Sequence, residues 1–246
     1  MTILDGAGKT GAVSLIRPCL QTTVLFVTII GFLGTAHSQN QPELIQDDVS
    51  YVDDINYFSP IGQSFTSVAN GPVSVELYYM DYNSGMGPNS LTVNLSGATG
   101  RVGSAAITLP DGFQGFYPAY FPRVNLTAGA GYLVTVVAPT PRWGVGFSQF
   151  NPYNGGSMME KGSLIPFYDL GFRVIPLPAL NVSCVSNQVA LYWPAWGTNW
   201  VLESSTNLWP SNWLPVTNAV SIIGGVTLPK TLSSMYFRLR RSDIGL

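Results

Sequence analysis

Few side chains in this sequence are equipped for chemistry, and their types and spacing narrow the field. The chain has one histidine, His37, and two cysteines, Cys19 and Cys184. His37 and Cys19 fall in a segment that reads as a cleaved signal, and the remaining chain, with no histidine and one cysteine, supports neither a Ser-His-Asp or Cys-His nucleophile nor a zinc centre of the usual His/Cys kind. A glycoside-cleaving pair needs only two carboxylates at a fixed separation. Glu76, Asp81, Asp111, Glu160, Asp169 and Glu203 are the available acids. None lies in a motif that sets it apart from a solvated surface acid, so the expectation is a protein that is not an enzyme. Sugar binding asks for aromatic faces that stack on C–H surfaces, with amides or carboxylates for the hydroxyls. Trp143, Tyr117, Tyr120 and Tyr153, with Asn151, Asn154 and Asp81, are the glycan-binding candidates, expected on loops. The competing reading places these aromatics in the core, where aromatics between strands more often reside. Asp47, Asp48, Asp53 and Asp54 offer oxygen ligands for a structural Ca²⁺, although their spacing matches no calcium-loop signature. A solvated acidic strand edge is the competing reading for these four. Gly6-Ala7-Gly8-Lys9-Thr10 has the ending of a phosphate-binding loop, but the Gly required five positions before Gly8 is replaced by Ile3.

The elements that must position these residues are strands. Hydrophobic residues make up 46% of the chain and charged residues only 10%, with 26 Gly and 18 Pro lacking any repeat period. Such a composition favours short strands joined by Gly, Pro and Asn turns. The net charge of −2 and the lack of a basic block exclude an electrostatic footprint for nucleic acid. Between about 44 and 176, Val73, Val75, Leu77 and Tyr79 alternate with Ser74, Glu76 and Tyr78, and Leu91, Val93 and Leu95 repeat the period. Tyr132–Val137 is apolar without a break, which predicts burial on both faces. Gly112–Arg123 reads as an aromatic connection, followed by a short strand at Val124–Leu126. About eight or nine strands with turns near every ten residues predict an antiparallel sandwich.

Four short motifs punctuate this segment: Gln63–Thr66 (Q-x-F-T), Leu126–Val134 with Leu126-Thr127, Gly129 and Tyr132, Tyr153–Gly156 (Y-x-G-G), and Asp169–Arg173 (D-L-x-F-R). Together they resemble a pattern of exported bacterial proteins whose domains look like jelly-roll sandwiches of the carbohydrate-binding-module type. The resemblance implies architecture more than activity.

Pro176 and Pro178 make a stiff link to a second segment, about 177 to 241, that holds five of the six tryptophans. Leu191-Tyr192-Trp193-Pro194, Leu202-Glu203-Ser204-Ser205-Thr206-Asn207-Leu208, Trp213–Val216 and Tyr236-Phe237-Arg238-Leu239 follow in order. They resemble a short C-terminal module of exported proteins in the Verrucomicrobia and Planctomycetes. What that implies is an immunoglobulin- or fibronectin-like accessory sandwich without catalysis. Trp193 and Trp213 fall on predicted strands and read as core, whereas Trp196, Trp200 and Trp209 lie nearer turns.

Ahead of both segments, Lys9 and Arg17 precede the apolar run Leu20–Leu33, which is short for a membrane span of about 20 residues. Ala36 and Ser38 suit the −3 and −1 positions of a signal-peptidase site, so residues 1–38 read as a signal peptide. An uncleaved anchor is the alternative. Cleavage removes His37 and Cys19, leaving Cys184 alone and no membrane span. The expectation is therefore a secreted or cell-surface, all-β, non-catalytic protein that binds a polysaccharide or attaches to envelope components. A scaffolding role without a small ligand is the alternative, and a glycoside hydrolase or lyase is the third choice.

Overall fold

The structure, a computed structural model, describes residues 13–15, 43–150, 152–193, 200–207, 212–216, 225–229 and 235–242. It is all-β and divides into two units. One is Gln41–Leu177; the other comprises Pro178–Leu246 with the N-terminal segment.

The strands in chain order are β1 (Val13–Leu15), β2 (Leu44–Gln46), β3 (Tyr51–Asp54), β4 (Ile61–Thr66), β5 (Gly71–Asp81), β6 (Asn89–Gly97), β7 (Gly100–Leu109), β8 (Gln114–Leu126), β9 (Gly131–Val137) and β10 (Trp143–Ser148). There follow β11 (Met158–Glu160), β12 (Ser163–Ile165), β13 (Asp169–Leu170), β14 (Phe172–Pro176), β15 (Asn181–Val185), β16 (Gln188–Tyr192), β17 (Trp200–Ser205), β18 (Leu214–Pro215), β19 (Gly225–Pro229) and β20 (Tyr236–Arg241).

In the larger unit a seven-stranded and a six-stranded antiparallel sheet share one apolar core, as the sandwich expectation requires. The first is built around β5, which pairs with β8 on one side and with β14 and β10 on the other. Beyond these, β2 pairs with β14 and β3 with β10. The second sheet runs β12-β11-β4-β9-β6-β7. Alternation does the sorting. Val73, Val75, Leu77 and Tyr79 from the first sheet meet Leu91, Val93, Leu95, Val134 and Val136 from the second in one buried cluster.

Three local expectations are corrected. The aromatic connection is strand: β8 runs unbroken from Gln114 to Leu126 and pairs with β5 through a register shift between Gly71 and Val73. The shift lets one long strand follow a twisted neighbour, so Tyr117 and Tyr120 sit on a sheet and not on a loop. Second, β9 is buried on one face only. Val134 and Val136 face the core, while Val137 is 45% exposed on the outer face. The run Tyr132–Val137, apolar but for Thr135, here marks a central strand of an antiparallel sheet with one solvated side. Third, β5 is buried on both faces over part of its length. Ser74 and Glu76 are as hidden as the valines beside them, and Glu76 is paired with Arg173 from the adjacent β14.

In the smaller unit, β15-β16-β19 form a three-stranded sheet, and β1-β20-β17-β18 a four-stranded one. Val189, Leu191, Leu202, Val226, Phe237 and Leu239 form the buried cluster, with Trp193 and Trp200 packed partly against it. The backbone of β1, within the segment read as a signal, pairs with β20 in the full chain. Cys184, read as solitary once that segment is removed, is disulfide-bonded in the full chain. The only other cysteine, Cys19, lies outside the described residues.

Candidate functional site

The residues singled out for glycan binding do not form one surface. Trp143, on β10, is 0% exposed and packed in the core, so it presents no face to a sugar. It points inward because it shares the face of Val145, opposite the buried end of β5. Tyr117 is half-buried against Phe113, with ring centroids 5.3 Å apart and planes at 87°. Burial raises its hydroxyl above the ordinary tyrosine range. Tyr120 is half-buried on β8 opposite Ser74. Tyr153 spends its hydroxyl on the Thr66 backbone N–H at 3.0 Å and sets its ring edge-on against Phe172. Asn154 is exposed, and Asn151 lies outside the described residues.

Asp81 is the centre of a loop clamp. Its carboxylate accepts from Nε of Arg142 at 2.9 Å, from Nη2 of Arg142, and from the backbone N–H groups of Asn83 and Gly112. Arg142 also donates to Asp111 and to the Gly87 carbonyl. Asp111 in turn accepts from the backbone N–H groups of Gly85 and Met86. One buried guanidinium thus ties the 82–88 loop, the 110–112 turn and the start of β10 together. The Arg142 hydrogen bond holds the Asp81 carboxyl well below the usual carboxylate range, and burial opposes it only in part. Every donor of this network is aimed at a protein acceptor, which makes it a fastening and not a ligand site.

Three of the four sequence motifs of the larger unit form a second fastening. Gln63 donates from Nε2 to Asp169 at 2.8 Å and accepts the Leu170 N–H at 2.8 Å. The other Asp169 oxygen accepts the Tyr153 N–H at 3.0 Å. A Cβ on Gly156 would come within 1.8 Å of the Ser64 carbonyl oxygen, so only glycine lets this turn lie on β4. Arg173 closes the group, reaching Asp47 at 2.6 Å and Glu76 at 3.2 Å. Burial raises Asp169 above its ordinary range, against the pull of the Tyr153 and Gln63 hydrogen bonds. The motif residues of the smaller unit are likewise structural. Glu203 is salt-bridged to Arg238 and Arg240, and Arg238 lies 4.4 Å over the Trp213 ring.

The four acidic-segment aspartates go to four separate partners. Asp47 meets Arg173, Asp48 accepts from Ser148 at 2.8 Å, Asp54 accepts the Tyr57 N–H at 2.7 Å, and Asp53 helps raise the Glu160 carboxyl. Alternation along β3 turns Asp53 and Asp54 to opposite faces, so the four do not converge as a calcium staple requires. Among the described residues no group of three or more His, Cys, Asp or Glu is placed to share a metal ion.

Sequence reasoning saw no site near Glu160. β3 pairs with β10 in the first sheet, and β11, which carries Glu160, lies between β12 and β4 in the second. Burial, and then the hydrogen bond and charge of Asp53, push the Glu160 carboxyl up to about 7, with Lys161 pulling the other way. The larger unit also carries several exposed rings. Tyr51 is 48% exposed and packs on Phe147 at 5.5 Å, and Phe147 stacks on Tyr168 at 5.7 Å. Tyr57 (68%), Phe150 (75%) and Phe167 (69%) are more exposed still. Phe167 sits in the turn between β12 and β13 with φ of 72°, a backbone region that a bulky aromatic seldom adopts. The Lys161 ammonium lies 4.2 Å from the centroid of Tyr57 and 5.2 Å from that of Phe58. The signal in the sequence was Tyr51-Val52-Asp53, whose period puts ring and carboxyl on one face. Its link to Glu160, over a hundred residues on, needed the fold.

No family model matches the chain, and no curated protein matches it closely enough to count as a relative.

Proposed function

We propose that this is an exported, non-catalytic β-sandwich protein that binds a polysaccharide through the aromatic side of its larger unit. The observation that carries the reading is the exposure of four large rings on the larger unit, Tyr51, Tyr57, Phe150 and Phe167. Exposed aromatic faces are what sugar C–H surfaces stack on. Export is supported by Lys9 and Arg17 ahead of the apolar run and by the small residues that end at Ser38. The four-part pattern in the smaller unit supports an accessory module on a bacterial surface protein. A catalytic reading is less favoured. Asp81 and Asp111, the acids that share the Arg142 guanidinium, direct their oxygens to it and to backbone N–H groups.

The experiment is a pull-down against a panel of insoluble polysaccharides and glycan arrays, with Tyr51→Ala and Tyr57→Ala beside the parent. Both rings are exposed, so both variants should fold and bind at least about tenfold more weakly. A parent protein that binds no glycan sinks the reading. Binding that survives both substitutions moves it away from this side.

A further inference from the structure

Two loops of the larger unit meet where a lysine ammonium is seated on an exposed ring. The first is the turn after β3, which presents Tyr57 and is braced from within. Ile55 is fully buried and donates its N–H to the Trp143 carbonyl at 2.9 Å. Asn56 donates its side-chain amide to the Ala138 carbonyl at 2.9 Å, and Asp54 accepts the Tyr57 N–H at 2.7 Å. Phe58 sets its ring edge-on to Tyr57, with centroids 4.8 Å apart. The second loop is the two-residue turn Lys161-Gly162 of the β11–β12 hairpin, between the paired Glu160 and Ser163. Both turn residues have positive φ, 48° and 78°, as this tightest hairpin turn demands. The backbone joins the loops: the Lys161 N–H donates to the Phe58 carbonyl at 3.0 Å, and the Gly162 N–H to the Pro60 carbonyl at 3.4 Å. Lys161 is thereby held beside Tyr57, and its ammonium lies 4.2 Å from the centroid of that ring.

The ammonium is exposed, and it has no hydrogen-bonded or ion-paired acceptor among the described residues. Its three N–H donors are therefore unspent. The acids nearest to it in the two loops are otherwise engaged. Asp54 holds the Tyr57 N–H, and burial, with Asp53, pushes the Glu160 carboxyl up to about 7. Tyr57 itself is 68% exposed, so the lysine covers a ring that is open to solvent. A contact between an ammonium and an exposed ring is weak, and the lysine stem is flexible enough to swing aside.

We propose that Lys161 is a removable cover on the Tyr57 ring and makes this subsite selective for acidic polysaccharides, those built from uronic acids. The inference rests on the glycan-binding reading above and names the class of sugar. A neutral sugar that stacks on Tyr57 displaces the ammonium and gives it nothing in return. A uronic acid also displaces it, but brings a carboxylate to which the freed ammonium donates. The ring exchanges a cation for a C–H face, and the cation exchanges a ring for an anion.

Calorimetric titration of the protein with soluble polygalacturonate and with alginate, each beside its methyl ester, isolates the carboxylate on an unchanged sugar backbone. The free acid should bind about fivefold more tightly than the ester, and added salt should narrow the gap. Lys161→Ala should weaken binding of the acid and leave binding of the ester no weaker, whereas Lys161→Arg should keep the preference. A lysine that only braces the hairpin would weaken both forms alike. Equal binding of acid and ester by the parent overturns the selectivity, as does a Lys161→Ala variant that loses both in the same proportion. A parent that binds neutral polysaccharides only also overturns it, while the glycan-binding reading stands. A parent that binds no polysaccharide at all overturns both.

Discussion

At the scale of single residues, the acids and rings of this chain divide by what surrounds them and not by type. Trp143 had the chemistry of a sugar platform and the position of a core residue. Trp143→Ala should cost about 3–5 kcal/mol of stability, as large aromatic truncations in a close-packed core do; urea unfolding checks it. Two carboxyls should make opposite marks on the pH dependence of stability. Asp81 is held low by Arg142, so its contribution is present above the ordinary carboxylate range and is lost as the pH falls through it. Glu160 is held high, so its contribution is full below about 4.5 and is lost as the pH rises through about 7. Urea midpoints measured at about pH 3, 5 and 8 should fall at the acid end for the parent but less so for Asp81→Asn. The loss between the two higher values should be reduced in Glu160→Gln. A parent midpoint that does not move would contradict both assignments.

At the scale of elements, the sequence was most legible where one face of a strand is buried and the other solvated. Leu91, Val93 and Leu95 of β6, and Val189 and Leu191 of β16, alternate as read and point inward as read. It was least legible where tertiary contacts decide. β8 looked like a connection because its Gly, Pro and ring-rich composition carries turn signals, yet pairing with β5 overrides them. The candidate aromatics of that strand moved with it from loop to sheet. The motif residues stood out in the sequence as short patterns, but what they do needed three dimensions. Gln63, Tyr153 and Asp169 are remote in sequence and joined by hydrogen bonds. Gly156 belongs to the same fastening. Gly156→Ala puts a methyl into the Ser64 carbonyl, and the backbone must shift to admit it. The expected cost is about 1–3 kcal/mol, with faster amide exchange in β4 and the 153–157 turn as the local readout.

At the scale of the whole molecule, each unit carries its own apolar cluster. A fragment covering Gln41–Leu177 should therefore fold alone, with a β-type circular dichroism spectrum and a single cooperative urea transition. A fragment that remains unfolded would show that the larger sandwich needs the rest of the chain. The smaller unit, with six of its described residues in its buried cluster, should be the less stable of the two when expressed separately.

The fastening between Gln63 and Asp169 spans 106 residues, that between Gln46 and Leu170 spans 124, and Asp47 meets Arg173 across 126. The first strands of the larger unit are thus stitched to its last ones. A chain emerging from its N-terminus has no means of completing this sandwich until Arg173 has been made, and loop-closure entropy slows the search even then. For the exported protein proposed above, the delay is useful. A domain that cannot close early stays threadable, and its final stitches form only after the whole of it has crossed the membrane.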